Sequence, residues 1–217
     1  MKLHGYFRSS ATFRVRIALN LKQIAYETVS YDIAQQAHRE PAYLALNPQG
    51  LLPTLEIDGC RLTQSLAIVE YLDATRPEQP LFPTGVAARA RVTSLAAAIA
   101  ADIHPLGAAR VARYLRDHAG LDADAIAAWQ RHWVDEGLLA VEQRLQDGFT
   151  GRFSHGDSPG TADLFLVPQA LNARRAGIDI NRYPTIARIV ETCLEVPAFQ
   201  HALPDNQPDS NQDWRSK

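Results

Sequence analysis

Residues 2–19 of this 217-residue chain read KLHGYFRSSATFRVRIAL, and they place Arg8, Ser9 and Ser10 where a strand passes into a helix. The first turn of a helix leaves backbone N–H groups unpaired and carries the positive end of the helix dipole, so such a junction favours anions. The two serines either cap the helix or donate their hydroxyl groups to a thiolate, carboxylate or phosphate. This stretch alone leaves both interpretations open.

The segment that follows predicts a β-α-β unit. Apolar side chains in residues 12–22 recur with a helical period, which predicts an amphipathic helix with Arg14 and Arg16 turned away from its apolar face. The alternating β-forming residues of 26–31 predict a second strand. Because crossover connections are right-handed, the helix would make the two strands parallel.

A β-hairpin and another helix are predicted next. Residues 52–57 and 60–62 flank Asp58-Gly59, a dipeptide that is typical of tight hairpin turns. A helix then begins at Ser65 and stops before Pro77. The order of predicted strands and helices in the first 76 residues therefore indicates one small α/β domain.

The rest of the chain has helical periodicity. Three prolines in residues 77–83 indicate an interdomain linker, and we predict that it comprises residues 77–86. An all-helical domain is expected over residues 87–203, and the polar residues 204–217 predict a mobile tail. The helices are expected at 87–116, from Asp122 or Asp124 to about 146, and at 162–175, 184–195 and 197–203. A thioredoxin-like domain followed by a helical bundle fits this α/β-then-all-α order best.

Composition limits the classes of function. Lys and Arg number 22 and Asp and Glu 24, so the formal charge of −2 argues against nucleic acid as a partner. No signal-peptide pattern opens the chain, and the apolar run 94–101 is too short to span a bilayer, so we expect a cytoplasmic protein without a membrane partner. Cys60 and Cys193 lie far apart, and no metal-binding spacing is present. Reduced thiols and no metal are therefore expected.

Two further stretches suit an extended anionic ligand. A cis peptide bond between Leu52 and Pro53 would leave the Leu52 backbone free to pair with a peptide laid beside it, although the sequence does not determine the isomer. Gln64 and Ser65 stand at the start of a helix, where free N–H groups receive carboxylates. Taken singly, Ser65 is more typical of a helix N-cap, and Gln64 of a polar loop residue, than of a binding site.

The three stretches together closely resemble zeta-class glutathione transferases. The likeness lies in residues 8–19, in NPQGLLPTL at 47–55 and in QSLAI at 64–68. It continues through DIHPL at 102–106 and LVPQ at 166–169, and it covers roughly residues 1–203. The resemblance implies the glutathione transferase fold and a glutathione-dependent cis-trans isomerase. Its substrate would be a maleyl keto-dicarboxylate, maleylpyruvate or maleylacetoacetate, from the catabolism of aromatic compounds.

The resemblance also implies roles for individual residues. Ser9 or Ser10 would donate to the glutathione sulfur and so act as the catalytic group. In a homodimer, two further residues would reach the cofactor from the partner subunit. The implied glutathione-binding residues are His38, Gln49, Leu52, Pro53, Gln64 and Ser65, with Asp102 and His104 as the pair from the partner.

Guanidinium groups are expected to bind the two substrate carboxylates, because they make planar two-point contacts. The candidates are Arg8, Arg110 and Arg175, each of which flanks a matched motif. Two positions depart from the family pattern: Ala11 stands where a cysteine is common, and Ala108 where a polar residue is common. Both departures concern turnover and substrate choice more than glutathione binding.

The sequence is also compatible with two other functions. A general conjugating or dehalogenating transferase shares the thiolate but needs an apolar pocket for its electrophile, which the three arginines disfavour. A non-catalytic interaction protein of the same fold is compatible with Ala11 and Ala108, yet it has no need of Ser9, Gln64 and Ser65 together. The sequence does not separate maleylpyruvate from maleylacetoacetate.

Overall fold

The computed structural model describes residues 1–210, and the chain within it divides into two compact units. Of the described residues, the α/β unit comprises 1–81 and 194–210, and the helical unit comprises 82–193. The last helix of the domain expected over residues 87–203 therefore belongs to the α/β unit. Of the predicted tail, residues 211–217 lie outside the described residues.

A four-stranded sheet forms the centre of the α/β unit, in the order β2-β1-β3-β4. The strands β1 (Lys2–Gly5) and β2 (Glu27–Ser30) are parallel, as predicted for a β-α-β unit. The strand β3 (Thr54–Ile57) is antiparallel to both β1 and β4 (Cys60–Thr63). Asp58 and Gly59 join β3 to β4 with φ angles of 51° and 73°, which is the left-handed geometry of a two-residue hairpin turn.

Three helices accompany the sheet: α1 (Ser10–Leu21), α2 (Pro41–Leu44) and α3 (Ser65–Thr75). Apolar residues of α1 and α3, among them Ile17 and Ile68, are fully buried. This arrangement confirms the thioredoxin-like architecture predicted for the N-terminal domain.

The expectation that Arg14 and Arg16 turn away from the core is wrong, because each is only 1% exposed. Two helices account for this: α9 (Pro197–Ala202) packs on α1 on the side of Arg16, and Arg14 reaches the Ser65 hydroxyl of α3 at 3.3 Å. Arg16 donates from Nε to the carbonyl oxygen of Ala202 at 3.0 Å. Burial lowers the pKa of Arg14 to about 9 and that of Arg16 to about 10.

The helical unit contains α4 (Val86–Ala97), α5 (Ala109–Ala119), α6 (Ala123–Arg144), α7 (Thr161–Arg175) and α8 (Pro184–Leu194), of which the last residue belongs to the other unit. The prediction of one continuous helix over 87–116 is wrong. A π-helical turn at Ala98–Ile103 and a 3₁₀ turn at His104–Gly107 interrupt it. Pro105 lacks an N–H group, and Ala108 is extended with φ −69° and ψ 147°, so the helix restarts at Ala109.

The stretch Val86–Ala119 is long and apolar enough to cross a membrane by length and composition, with a mean hydropathy of 1.3 over its best window. Core helices of soluble proteins share this length and composition. Within it, Val92, Leu95 and Ile99 are buried in the helical unit.

Residues 204–210, expected to be part of a mobile tail, are ordered against the α/β unit. A 3₁₀ turn forms at Pro204–Asn206, and the Gln207 side chain is 8% exposed and donates to the carbonyl oxygens of His201 and Leu203. The polar composition of this segment predicted mobility because the segment has few apolar side chains that could be buried on folding. Here side-chain hydrogen bonds to backbone carbonyls hold the segment instead.

Candidate functional site

The β1–α1 junction forms a tight turn that ends at Ser9. The Ser9 N–H donates to the Tyr6 carbonyl oxygen at 3.0 Å, and the Ser9 Oγ accepts the Thr12 N–H at 3.2 Å, which makes Ser9 the N-cap of α1. Ser9 is half-buried, whereas Ser10 is only 9% exposed. A serine hydroxyl that accepts one hydrogen bond still has its own proton to donate. Capping and donation to a ligand are therefore compatible at Ser9.

The loop before β3 contains the only cis peptide bond among residues 1–210, between Leu52 and Pro53. Two buried side chains fix the residue before it: the Tyr43 hydroxyl donates to the Leu51 carbonyl oxygen at 2.6 Å, and Asn47 Nδ2 donates to it at 2.8 Å. Leu52 itself is half-buried, and within residues 1–210 its backbone N–H and C=O have no hydrogen-bond partner. These two groups remain available to an extended peptide.

The start of α3 completes the arrangement in the α/β unit. Gln64 lies at the N-cap position with φ +68°, and Ser65, only 6% exposed, is the first residue of the helix. Arg14 Nη1 donates to the Ser65 Oγ at 3.3 Å, which links α1 to α3. This contact directs a buried guanidinium group at the N-terminus of α3, where the helix dipole also favours a carboxylate.

Gln49 and Gln64 are brought together, since Gln64 Nε2 donates to Gln49 Oε1 at 2.9 Å. His38 lies in the short 3₁₀ turn Ala37–Arg39. Its carbonyl oxygen would be 3.1 Å from a Cβ at Gly50, whose φ of +56° also favours glycine. Three of the predicted residues, His38, Gln49 and Gln64, thus belong to two adjoining loops and the start of α3.

Sequence reasoning missed the residues that hold these loops. Asn47 accepts the Gln49 N–H at 3.1 Å, and Arg39 donates to the Gln49 carbonyl oxygen at 3.1 Å. The Asn-Pro dipeptide at 47–48 is a turn signal that points to Asn47. No local pattern marks Tyr43 or Arg14, because both act on backbone or side chains that are distant in sequence.

The remaining predicted residues lie apart from these loops in the chain. Arg8 is exposed in the turn before α1, in the α/β unit. In the helical unit, Asp102 is exposed in the π-helical turn, and His104, half-buried, begins the 3₁₀ turn. Arg110 and Arg175 are both exposed, in the first turn of α5 and at the last residue of α7. Within residues 1–210 no ion pair or hydrogen bond engages the Arg110 side chain.

Residues 1–74 match the family model described as the N-terminal domain of glutathione S-transferase. Over 203 residues the chain is 48% identical to the maleylacetoacetate isomerase of Rhizobium meliloti strain 1021, with 94% of this chain and 95% of the relative covered. The match extends across both units of the fold.

Solved structures give the same picture. A maleyl pyruvate isomerase, described as a bacterial glutathione S-transferase of the zeta class in its holo form, superimposes with a TM-score of 0.95 at 42% identity, with 97% of this chain and 100% of that chain covered. The maleylacetoacetate isomerase of Methylobacterium extorquens AM1, solved with malonate and glutathione bound, has a TM-score of 0.94 at 44% identity, with the same coverage of 97% and 100%.

Proposed function

Because the chain belongs to the zeta class of glutathione transferases, together with the maleylacetoacetate and maleylpyruvate isomerases, we propose that it isomerises a maleyl keto-dicarboxylate to its fumaryl form. The observation that carries the proposal is the match at 48% identity over nearly the whole chain to a maleylacetoacetate isomerase. Glutathione is the cofactor, and related maleylacetoacetate isomerases were solved with glutathione bound, in one of them in the active site. We place the reaction in the catabolism of aromatic compounds.

The α/β unit offers what an extended anionic tripeptide requires. The unpaired backbone groups of Leu52, next to Pro53, suit the cysteinyl unit, and Gln64 with the free N–H groups at Ser65 suits the γ-glutamyl carboxylate. Gln49 and His38 lie on the loops beside Gln64 and are proposed to contact the glycyl end. A buried guanidinium group behind Ser65 adds positive charge where the ligand is negative.

Ser9 is the proposed catalytic residue. When bound, glutathione supplies a thiolate able to add reversibly to a cis carbon–carbon double bond. A free thiol has a pKa near 8.5, and lowering it by about two units takes roughly 2.7 kcal/mol of preferential stabilisation of the thiolate. The Ser9 hydroxyl retains a proton to donate, and Ser9 as a residue is more exposed than Ser10, so we assign the thiolate donor to Ser9. Ser10 is the alternative donor.

Arg8, Arg110 and Arg175 are proposed to bind the two carboxylates of the substrate. All three are exposed, and Arg110 has no competing acidic partner among residues 1–210. A relative with 44% identity was solved with malonate, a dicarboxylate, together with glutathione. This chemistry favours an isomerase of dicarboxylates over a transferase that acts on neutral electrophiles.

Replacing Arg110 with alanine is expected to slow isomerisation of the dicarboxylate about tenfold or more, which corresponds to about 1.4 kcal/mol of transition-state stabilisation. Lysine should restore the rate only in part, because an ammonium group lacks the planar two-point geometry. Conjugation of a neutral chlorodinitrobenzene should barely change, since the thiolate is untouched. Arg174→Ala, which removes an exposed arginine with no assigned role, serves as the matched control. Retained isomerisation with lost conjugation would favour the general transferase.

The rival proposals make different demands on the chain. A general transferase or dehalogenase would not depend on Arg110, and a non-catalytic interaction protein would show neither activity. Ala11 and Ala108 depart from the family pattern at positions that bear on turnover, so the rate is the quantity to measure. Assays with both maleylpyruvate and maleylacetoacetate decide between the two substrates.

A cytoplasmic homodimer without nucleic-acid or membrane partners is proposed for the assembly. In this arrangement Asp102 and His104 would contact the glutathione of the partner subunit, as the resemblance to zeta-class glutathione transferases implies. Light scattering at micromolar concentration tests the proposal. A fully active monomer would exclude any contribution of these two residues across the interface.

A further inference from the structure

A buried arginine, Arg16, binds the backbone carbonyl groups of the turn that leads into Ser9. Arg16, 1% exposed, donates from Nη2 to the Phe7 carbonyl oxygen at 3.0 Å and from Nη1 to the Tyr6 carbonyl oxygen at 3.4 Å. The Ser9 N–H also donates to the Tyr6 carbonyl at 3.0 Å. The carbonyl oxygens of Tyr6 and Phe7, the two residues before Arg8, therefore both accept hydrogen bonds from Arg16. The Tyr6 carbonyl also accepts the Ser9 N–H within the turn.

The Phe7 N–H group of the same turn is bound by a residue near the C-terminus, Asp209. The Asp209 Oδ2 accepts the Phe7 N–H at 3.0 Å and also the hydroxyl of Ser30, which ends β2. Asp209 is 202 residues away from Phe7 in the sequence, and the hydrogen bonds of Gln207 anchor the segment that carries it. One carboxylate thus joins the C-terminal segment, β2 and the turn before α1.

We propose that Asp209 is a positioning residue of the active site, whose carboxylate holds the Tyr6–Ser9 turn through the Phe7 N–H so that Arg8 and Ser9 are presented to glutathione and substrate. The inference rests on the proposed function of Ser9 and Arg8. Phe7 directly precedes Arg8 and stands two residues before Ser9, so a rotation of its peptide moves both side chains. Displacements of about 1 Å at a catalytic group are sufficient to lower rates by as much as about 100-fold.

The two oxygens of Asp209 suggest an isosteric test of this role. Oδ1 is buried, and no donor among residues 1–210 reaches it. Asparagine can therefore keep an acceptor oxygen toward Phe7 and Ser30 and turn its NH₂ group to the side where no donor competes. Alanine removes the acceptor altogether. The pair separates the loss of the hydrogen bond from the loss of the negative charge.

The experiment compares Asp209→Ala, Asp209→Asn and, as a matched control, Asp205→Ala, which removes an exposed carboxylate from the same segment. Three quantities are measured in each full-length variant: kcat and KM for the maleyl substrate, the pKa of glutathione bound to the protein by ultraviolet titration, and the melting temperature. A purely structural role would change only the melting temperature.

For Asp209→Ala we expect kcat about tenfold lower and the pKa of the bound thiol raised by about 0.5 or more, with KM for the maleyl substrate raised because Arg8 moves with the turn. Asp209→Asn should keep at least about half of the activity, and Asp205→Ala should match the wild type in kcat and in the pKa of the bound thiol. A wild-type thiol pKa and kcat in Asp209→Ala overturn the inference. So does a loss of tenfold or more in Asp209→Asn, a result that remains decisive if the alanine variant does not fold.

The thiol titration separates this inference from the proposed function, because it requires glutathione but no maleyl substrate. If the wild type binds glutathione without isomerising either maleyl compound, the proposed function fails. In that case, a pKa of bound glutathione that is raised in Asp209→Ala, but not in Asp209→Asn or Asp205→Ala, would still support the positioning role. If the wild type does not bind glutathione, both proposals fail.

Discussion

Replacing Ser9 with glycine is expected to lower the isomerisation rate at neutral pH by roughly 10- to 100-fold, because a hydrogen bond to an ionised group contributes about 1.5–3 kcal/mol. Glycine is preferred to alanine because Ser9 also caps α1 through the Thr12 N–H at 3.2 Å. As an N-cap, glycine costs only about a few tenths of a kcal/mol, whereas alanine costs up to about 2 kcal/mol. The loss of activity can then be read without a loss of fold.

Ultraviolet titration of the bound thiolate measures the effect directly. The pKa of bound glutathione should rise in Ser9→Gly and stay nearly unchanged in Ser10→Ala, whose side chain is buried at 9% exposure. Ser65→Ala supplies the complementary control, since it should weaken glutathione binding several-fold and leave the thiol pKa in place. An unchanged titration in Ser9→Gly would transfer the role to Ser10, and unchanged titrations in the double variant as well would reject the mechanism.

Asp163→Ala is expected to lower the free energy of unfolding by about 3–5 kcal/mol. Asp163 is 1% exposed, and its carboxylate accepts the Ser154 N–H at 2.8 Å and the Gly160 N–H at 2.9 Å. Its own N–H donates back to the Gly160 carbonyl oxygen at 2.9 Å, which closes the start of α7. Alanine leaves the buried Ser154 N–H and the half-buried Gly160 N–H without these acceptors. Chemical denaturation measures the loss, and the melting temperature should fall by roughly 10 °C.

Asp157→Ala is the matched control for this stability prediction. Its carboxylate also accepts a backbone N–H, that of Arg152 at 3.0 Å, but the residue is exposed. Because water can replace an exposed hydrogen bond, a loss of about 1 kcal/mol or less is expected. Equal destabilisation of the two variants would show that burial of the Asp163 cap contributes little.

The sheet and the site loops were predictable because their signals are local. Asp58-Gly59 predicted the hairpin, and the alternation in residues 26–31 predicted the parallel strand, both of which the structure confirms. The Ser9, Leu52 and Gln64 stretches were found because each lies at the end of a helix or strand, where backbone groups lack partners. Their assignment to glutathione came from the family resemblance and remains a proposal residue by residue.

The errors arose where distant segments decide the outcome. A helical period reveals one apolar face of α1, but it does not show that α9 covers another and buries Arg16 against the Ala202 carbonyl. Polar composition suggested a tail where Asp209 instead bonds to Phe7, because the partner lies at the other end of the chain. The break before Ala109 was missed because the alanine-rich sequence outweighed Pro105 in the helical pattern.

The most direct test of the account follows the conversion of maleylpyruvate and of maleylacetoacetate by the purified protein, with and without glutathione, in a spectrophotometer. We predict that at least one of the two compounds is converted to its fumaryl isomer, only when glutathione is present, and at least about 100-fold faster than with glutathione alone. Glutathione should be recovered unchanged at the end of the reaction. Failure to accelerate either isomerisation, in a protein that binds glutathione and conjugates chlorodinitrobenzene, would contradict the proposal and identify a general transferase.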